Sequence, residues 1–137
     1  MTGNASRDEH PNARTVRGIF DALARGDREA MAAAFADDVV WHAPGTSRFS
    51  GRFEGRAAVM DRMAKLGAAG FQNRFDVHDV VANDEHTVAL VHLHIEDAGG
   101  RRYDQPQVQV MHLRDGLVVE YWAMNQDQAV LDLLMGE

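Results

Sequence analysis

Cysteine is absent from this chain of 137 residues, and lysine occurs once, at Lys65. Without cysteine the chain can hold no disulfide, no thiol nucleophile and no cysteine-based zinc site. It needs none of these for stability, because a chain of this length can bury a sizeable core. The sequence also has no run of about eighteen apolar residues of the kind that spans a membrane, and we expect no membrane partner.

Positive charge is scarce as well. Lys and Arg number 14 against 21 Asp and Glu, which gives a formal net charge of −7. Such a surface repels phosphate backbones, so nucleic acid is not an expected partner. Residues 1–10 are polar and lack the apolar stretch of a signal peptide. We therefore expect the protein to be cytoplasmic.

Helical periodicity fills the first half of the chain after a polar segment, residues 1–11, which we interpret as a flexible leader. One domain is predicted over residues 12–137. Three helices are indicated: one that ends at Gly26, one that begins at Asp27 and one that follows Gly55. Their apolar positions are Val16, Ile19, Phe20 and Leu23 in the first, Met31, Ala34 and Phe35 in the second, and Val59, Met60, Met63 and Leu66 in the third.

The second half of the chain alternates in the manner of β-strands. Four antiparallel strands are predicted, at residues 71–81, 87–96, 103–113 and 117–124. The pair Asp115-Gly116 is the strongest hairpin signal in the chain. A shorter strand at residues 39–42 precedes the third helix, and a last helix begins at Asp127. Because helices and strands are segregated along the chain, the pattern predicts an α+β fold.

Several segments resemble the SnoaL-like domains of the nuclear transport factor 2-like superfamily. The resemblance is carried by residues 35–45 (FADDVVWHAPG), Gly51, Gly55-Arg56, residues 78–86 (HDVVANDEH), residues 108–116 (VQVMHLRDG), Trp122 and Asp127-Gln128. It implies a cone-shaped, curved antiparallel sheet that wraps around the N-terminal helices and encloses one pocket. The superfamily includes ketosteroid isomerases, epoxide hydrolases, polyketide cyclases and non-enzymatic binding proteins, so the fold leaves the chemistry open.

The last strand supplies a candidate acid or base. Glu120, Trp122 and Met124 share one face of a regular strand, and similarity to ketosteroid isomerases implies that this face lines the pocket. A carboxylate beside an indole in apolar surroundings is suited to proton transfer. The alternative is that Glu120 lies on the convex face of the sheet or pairs with an arginine such as Arg114.

The same resemblance places Gln109 where ketosteroid isomerases carry a protonated aspartic acid. An amide can donate a hydrogen bond as that acid does, so Gln109 could polarise a ligand carbonyl. The alternative is a buried amide that ties neighbouring strands together. The general-base aspartate of those enzymes is replaced here by Ala43, and the first helix has no tyrosine near Phe20. Steroid isomerisation by the same residues is therefore not expected.

Further ligand-binding candidates come from the aromatic and histidine residues. Trp41 is in phase with Ala43, so it is predicted to line the pocket, as is Phe20 of the first helix. His42 then lies at the pocket rim, where it is a catalytic candidate. His78 is also a candidate for ligand binding, although the strand period does not settle which face it occupies.

Two more histidines, His92 and His94, share a strand face and could in principle chelate a metal. Their alternates Val91, Leu93 and Ile95 are apolar, so the histidines are expected to point outward, and neither a metal nor any other cofactor is predicted. The convex face would then carry Tyr121, His112, His92 and His94. Such a weakly charged, aromatic set predicts a homodimer through this face.

Together these residues predict a cofactor-independent acid/base enzyme that acts on a small hydrophobic or amphipathic molecule in an enclosed pocket. Cyclisation, isomerisation, or epoxide or hydration chemistry would fit one carboxylate, one amide and one histidine. The catalytic candidates are Glu120, Gln109 and His42. The alternative is a non-catalytic protein of the same fold that binds a small ligand. The absence of a general base at Ala43 favours this alternative, and the carboxylate of Glu120 argues against it.

Overall fold

The computed structural model describes residues 9–136. The elements along this range are α1 (Pro11–Arg25), α2 (Arg28–Ala33), β1 (Phe35–Ala43), β2 (Gly51–Glu54), α3 (Arg56–Ala68), β3 (Gln72–Ala82), β4 (His86–Glu96), β5 (Arg102–Arg114), β6 (Leu117–Asn125) and α4 (Gln128–Met135). Most of the predicted leader, residues 1–8, lies outside the described residues. Within that range, none of the helices combines the length and apolar character needed to cross a membrane.

The first helix is fixed at both ends by local hydrogen bonds. Pro11 stands at its first position, where its missing N–H is not needed, and His10 Nδ1 accepts a hydrogen bond from the backbone N–H of Asn12 at 3.0 Å. Gly26 ends the helix in the left-handed region, with φ of 71°. The face that carries Val16 and Phe20 is buried against the sheet, as the helical period predicts.

The second helix is shorter than predicted. It ends at Ala33, and Phe35, predicted to lie on its apolar face, is the first residue of β1. The strand is favoured because its pairing buries the Phe35 side chain, only 1% of which is exposed. The carbonyl of Ala34 also accepts a hydrogen bond from the N–H of Val118 in the strand next to it.

The six strands form one curled, unclosed sheet in the order β2-β1-β6-β5-β4-β3. The predicted α+β architecture, with helices on the concave side of a curved sheet, is confirmed. Pairing is antiparallel except between β1 and β6, which run parallel. The short strand β2 was not predicted, because its four residues begin with a glycine and gain their order from pairing with β1.

A β-bulge in β6 decides which of its side chains face inward. The hairpin between β5 and β6 turns at Asp115 and Gly116, both of which have positive φ, as the sequence predicts. Leu113 then lies opposite Val118, but His112 lies opposite Glu120. Val119 is therefore an additional residue in β6, and a one-residue shift moves every later side chain of the strand to the other face.

Candidate ligand-binding site

A cavity of about 340 Å³ lies between the helices and the concave face of the sheet. Helices α1, α2 and α3 supply one wall, strands β1 and β3 to β6 supply the other, and α4 also contributes. The wall is mostly apolar, with Phe20, Trp41, Met60, Met63, Phe75 and Met111 among its residues. A mostly apolar cavity with a few polar groups is the usual composition of a small-molecule site.

Aromatic packing stiffens the cavity wall. Trp41 stacks on Tyr121 with ring centroids 3.5 Å apart and planes inclined by 14°. The edge of Trp41 also meets Phe35 at 5.6 Å, and Phe20 meets Phe75 edge to face at the same separation. Such aromatic pairs add stability beyond the area they bury. These contacts therefore hold the rings of the cavity wall against one another.

Three of the predicted ligand-contacting residues do lie in the cavity wall. They are Phe20, Trp41 and Gln109. Phe20 comes from the buried face of α1, and Trp41 shares the inward phase of β1 with buried Ala43. Gln109 faces inward from β5, opposite Ala123 of β6. Their part in binding stays a prediction.

The predicted placement of Glu120, Trp122 and Met124 is wrong. All three lie on the outer, convex face of the sheet, whereas Tyr121 and Ala123 face the cavity. Met124 is 52% exposed and Tyr121 only 6%. The bulge at Val119 causes the difference, because a hairpin without it would have placed Glu120 on the same face as Gln109.

The two histidine candidates also lie away from the cavity. His42 is on the outer face, where its Nε2 is 2.7 Å from Oε2 of Glu120 and its ring stacks on Trp122 at 5.2 Å. His78 is exposed and sits at a β-bulge of β3, between Val77 and Asp79. Neither residue belongs to the cavity wall, so the rim position expected for His42 is corrected.

The outward orientation predicted for His92 and His94 is found in the structure. Nδ1 and Nε2 of His94 lie 3.1 and 2.7 Å from carboxylate oxygens of Asp104 and Asp76, respectively. The hydrogen bond from His94 holds the pKa of Asp76 below its usual value. His92, His94 and Asp104 together have the composition of a metal-binding group; the hydrogen bonds to Asp76 and Asp104 involve His94 alone.

A chain of side-chain amides runs along one side of the cavity. Nε2 of Gln109 donates to Oε1 of Gln107, and Nε2 of Gln107 donates to Oδ1 of Asn125, both at 2.8 Å. Nδ2 of Asn125 donates to Oε1 of Gln128 at 2.8 Å, and Nε2 of Gln128 donates to Asp132 at 3.1 Å. We call this series of five side chains the amide relay.

The direction of the amide relay follows from its last member. A carboxylate can only accept, so Gln128 must present its NH₂ group to Asp132 and its carbonyl to Asn125. The same reasoning passes along the relay and fixes the orientation of Gln109, whose NH₂ group is turned to Gln107. The carbonyl oxygen of Gln109 remains without a partner in residues 9–136. Gln109 therefore offers the cavity an acceptor, and not only the donor expected from the resemblance.

Arg62 and Tyr121 are among the polar residues of the cavity that were missed from the sequence. Arg62 of α3 lies in the cavity wall, where its Nε donates to the carbonyl of Phe49 at 2.9 Å and its guanidinium carbon lies 5.6 Å from the ring centre of Phe53. A signal was present, since Arg62 follows Val59 by three residues and precedes Leu66 by four, which places it on the buried stripe of the helix. Tyr121 was missed because of the bulge.

Burial changes the acidity of both residues. Removal from water raises the pKa of Tyr121 far above its usual value, and the positive charge of Arg62 opposes that rise. Burial also lowers the pKa of Arg62 from its usual value, while the interaction with Tyr121 opposes that change. The tyrosine is therefore a neutral hydrogen-bond donor at physiological pH, and the arginine remains a cation.

The fold and the cavity define a small α+β pocket protein of the nuclear transport factor 2-like class. Within that class, the sequence identifies one family. A model of the SnoaL-like domain matches residues 16–121, and the chain belongs to this family. This confirms the resemblance seen in the sequence.

Solved structures share the fold across nearly the whole chain. Bal32a, from a soil-derived mobile gene cassette, is 25% identical, with a TM-score of 0.83 over 91% of this chain and 96% of that one. A putative polyketide cyclase from Xanthomonas campestris is 25% identical, with a TM-score of 0.72 over 82% and 88%. RV0760c from Mycobacterium tuberculosis, in complex with estradiol-17β-hemisuccinate, is 21% identical, with a TM-score of 0.75 over 88% and 98%. No curated protein matches the chain.

Proposed function

We propose that the protein binds a small, largely apolar molecule in the cavity and that the polar side chains there orient it. The observation that carries the proposal is the cavity itself, an apolar space of about 340 Å³ with a few polar groups in its wall. Phe20 and Trp41 would contact the apolar part of the ligand, and Gln109 would accept a hydrogen bond from it. The estradiol hemisuccinate complex of RV0760c supports a small organic ligand in this fold.

The composition of the cavity wall favours ligand binding over acid/base catalysis as the function of the protein. Among the wall residues in the described range there is no aspartate, glutamate or histidine. Glu120 and His42 lie on the other side of the sheet, so they cannot reach a ligand in the cavity. The non-catalytic alternative drawn from the sequence is therefore the reading that the geometry supports best.

A second candidate is an enzyme that stabilises an oxyanion in the same cavity. The observation in its favour is that Tyr121, a neutral donor, lies in the field of the Arg62 cation. Isomerisations and aldol cyclisations pass through enolates, and donors aimed at such an oxygen lower the barrier. The likeness to a putative polyketide cyclase supports this candidate. Its substrate would have to lose its proton to water, since the described wall offers no base.

Tryptophan fluorescence can test binding, because the two tryptophans lie on opposite faces of the sheet. Trp122→Phe leaves Trp41 in the cavity wall as the only tryptophan. We expect small aromatic compounds to change its emission in a saturable way. The matched variant Trp41→Phe leaves only Trp122 on the outer face, and its emission should not respond. A saturable change in the emission of Trp122 but not of Trp41, or no change in either variant, would count against the cavity as the binding site. Mass analysis of the bound compound after incubation separates binding from turnover.

We further propose that the protein forms a homodimer through the outer face of the sheet. Tyr121, one of the residues that motivated this prediction, faces the cavity and does not contribute. The outer face nevertheless carries His92, His94 and His112 together with exposed Leu90 and Met124. Exposed apolar side chains such as Leu90 and Met124 favour contact with another protein surface.

A further inference from the structure

The charge of the cavity wall is opposite to that of the whole chain. The chain has a net charge of −7, yet the charged residues in the described cavity wall are Arg28 and Arg62 alone. Arg28 is exposed, while Arg62 is partly buried. An acidic protein that has only cations around its cavity attracts an anion to that place.

Arg62 is held in position but is not neutralised. One N–H of its guanidinium, at Nε, donates to the carbonyl of Phe49, and the ring of Phe53 lies near the cation. Its two terminal amino groups make no hydrogen bond within residues 9–136, and no carboxylate of that range pairs with it. A partly buried cation without a counter-ion is unfavourable by itself. A ligand that brings a negative charge would remove that penalty.

We propose that the cavity takes a largely apolar carboxylate whose two oxygens pair with the terminal amino groups of Arg62. The inference rests on the proposed binding function and names the class of its ligand. A planar guanidinium matches a carboxylate with two parallel hydrogen bonds, and such charge-assisted bonds are about twice as strong as neutral ones. The Tyr121 hydroxyl has no hydrogen-bond partner in the described range, so it is free to donate to the same carboxylate.

A pair of probes that differ only in charge tests the inference. Naphthalene-2-carboxylate and its neutral carboxamide have nearly the same shape, and isothermal titration calorimetry at pH 7 gives both dissociation constants. We expect the carboxylate to bind at least about tenfold more tightly than the amide, as a bidentate charged pair predicts. Equal affinity would overturn the inference while leaving the binding function intact. Binding of neither probe would overturn both.

Variants of Arg62 assign the preference to that residue. Arg62→Met should bring the ratio of the two dissociation constants close to one, with affinity for the amide changed little. Arg62→Lys keeps the charge but loses the planar fork, so it should retain only part of the preference. The matched control, Arg114→Met, removes the same charge from the exposed end of β5 and should leave the ratio unchanged. If Arg62→Met does not fold, the lysine variant decides, and an unchanged ratio there overturns the inference.

Discussion

His42 and Glu120 form a hydrogen-bonded pair on the outer face of the sheet, with Nε2 and Oε2 2.7 Å apart. They come from the parallel strands β1 and β6, and about a third of each side chain is exposed. The pair is separated from the cavity by the sheet itself. A carboxylate and an imidazole at this distance resemble a catalytic pair, but their position makes them a surface contact between two strands.

Glu120→Gln therefore tests the surface role of Glu120. The amide keeps the shape of the side chain and removes its charge. We expect the free energy of unfolding at pH 7 to change by no more than about 1 kcal/mol, because partly exposed ion pairs contribute little. Affinity for the carboxylate probe should stay the same. Chemical denaturation and calorimetry measure the two quantities, and a large loss of affinity would return Glu120 to the ligand site.

Tyr121→Phe should change how stability depends on alkaline pH. In the unfolded chain the phenol ionises above pH about 10, whereas burial raises the pKa of Tyr121 in the folded protein. The free energy of unfolding of the unmodified protein should thus fall as the pH rises above about 10, by up to about 1.4 kcal/mol per pH unit from this residue. The phenylalanine variant lacks that contribution, so its stability should fall less steeply.

Urea unfolding at pH 8 to 11 measures the free energy of unfolding of the unmodified protein and of the phenylalanine variant. If the two free energies change with pH in parallel, the prediction is wrong. At pH 8 the variant should be nearly as stable as the parent. The Tyr121 hydroxyl has no partner to lose within residues 9–136, and the ring can keep its stacking on Trp41.

The amide relay predicts an order of stability for two variants. Gln107→Leu removes a middle member and two hydrogen bonds, those to Nε2 of Gln109 and Oδ1 of Asn125, which should cost about 1–3 kcal/mol. Gln109→Leu removes an end member and one hydrogen bond, so it should cost less. Thermal or urea unfolding measures both values. Gln126→Leu is the control, since that side chain is exposed and its loss should be within about 0.5 kcal/mol. Equal costs at positions 107 and 109 would argue against a connected relay.

Met124→Asp tests the proposed homodimer. Met124 is 52% exposed on the outer face, and a charge there would have to be buried if two copies met through this surface. We expect light scattering to show a dimer for the unmodified protein and weaker association for the variant. Leu133→Asp is the matched control, because Leu133 is 82% exposed on α4. A monomeric parent protein at micromolar concentration would contradict the proposal.

Much of the fold could be predicted from the sequence because its signals are local. The helical period gave the buried face of α1, and Gly26 marked its end. The alternation of β3 to β6 and the turn at Asp115-Gly116 gave the strands and their main hairpin. Strand β2 was missed and the end of the second helix was predicted too far along the chain, because long-range pairing decides both. The residues before Phe35 have helical periodicity in the sequence, but Phe35 itself pairs into the sheet as the first residue of β1.

The sequence by itself predicted a pocket, through its resemblance to SnoaL-like domains, and the same resemblance placed Gln109 there. The phase of β1 placed Trp41 in the pocket wall, and Phe20 on the apolar face of α1 was a further candidate for it. The tertiary structure alone decided which side of β6 faces the pocket. One additional residue at Val119 moved Glu120 outward and Tyr121 inward, and no residue type in the sequence marks such a bulge. Only the tertiary structure shows that no carboxylate within residues 9–136 pairs with Arg62, because the absence of a counter-ion depends on all the side chains that surround α3 once it has packed over the sheet.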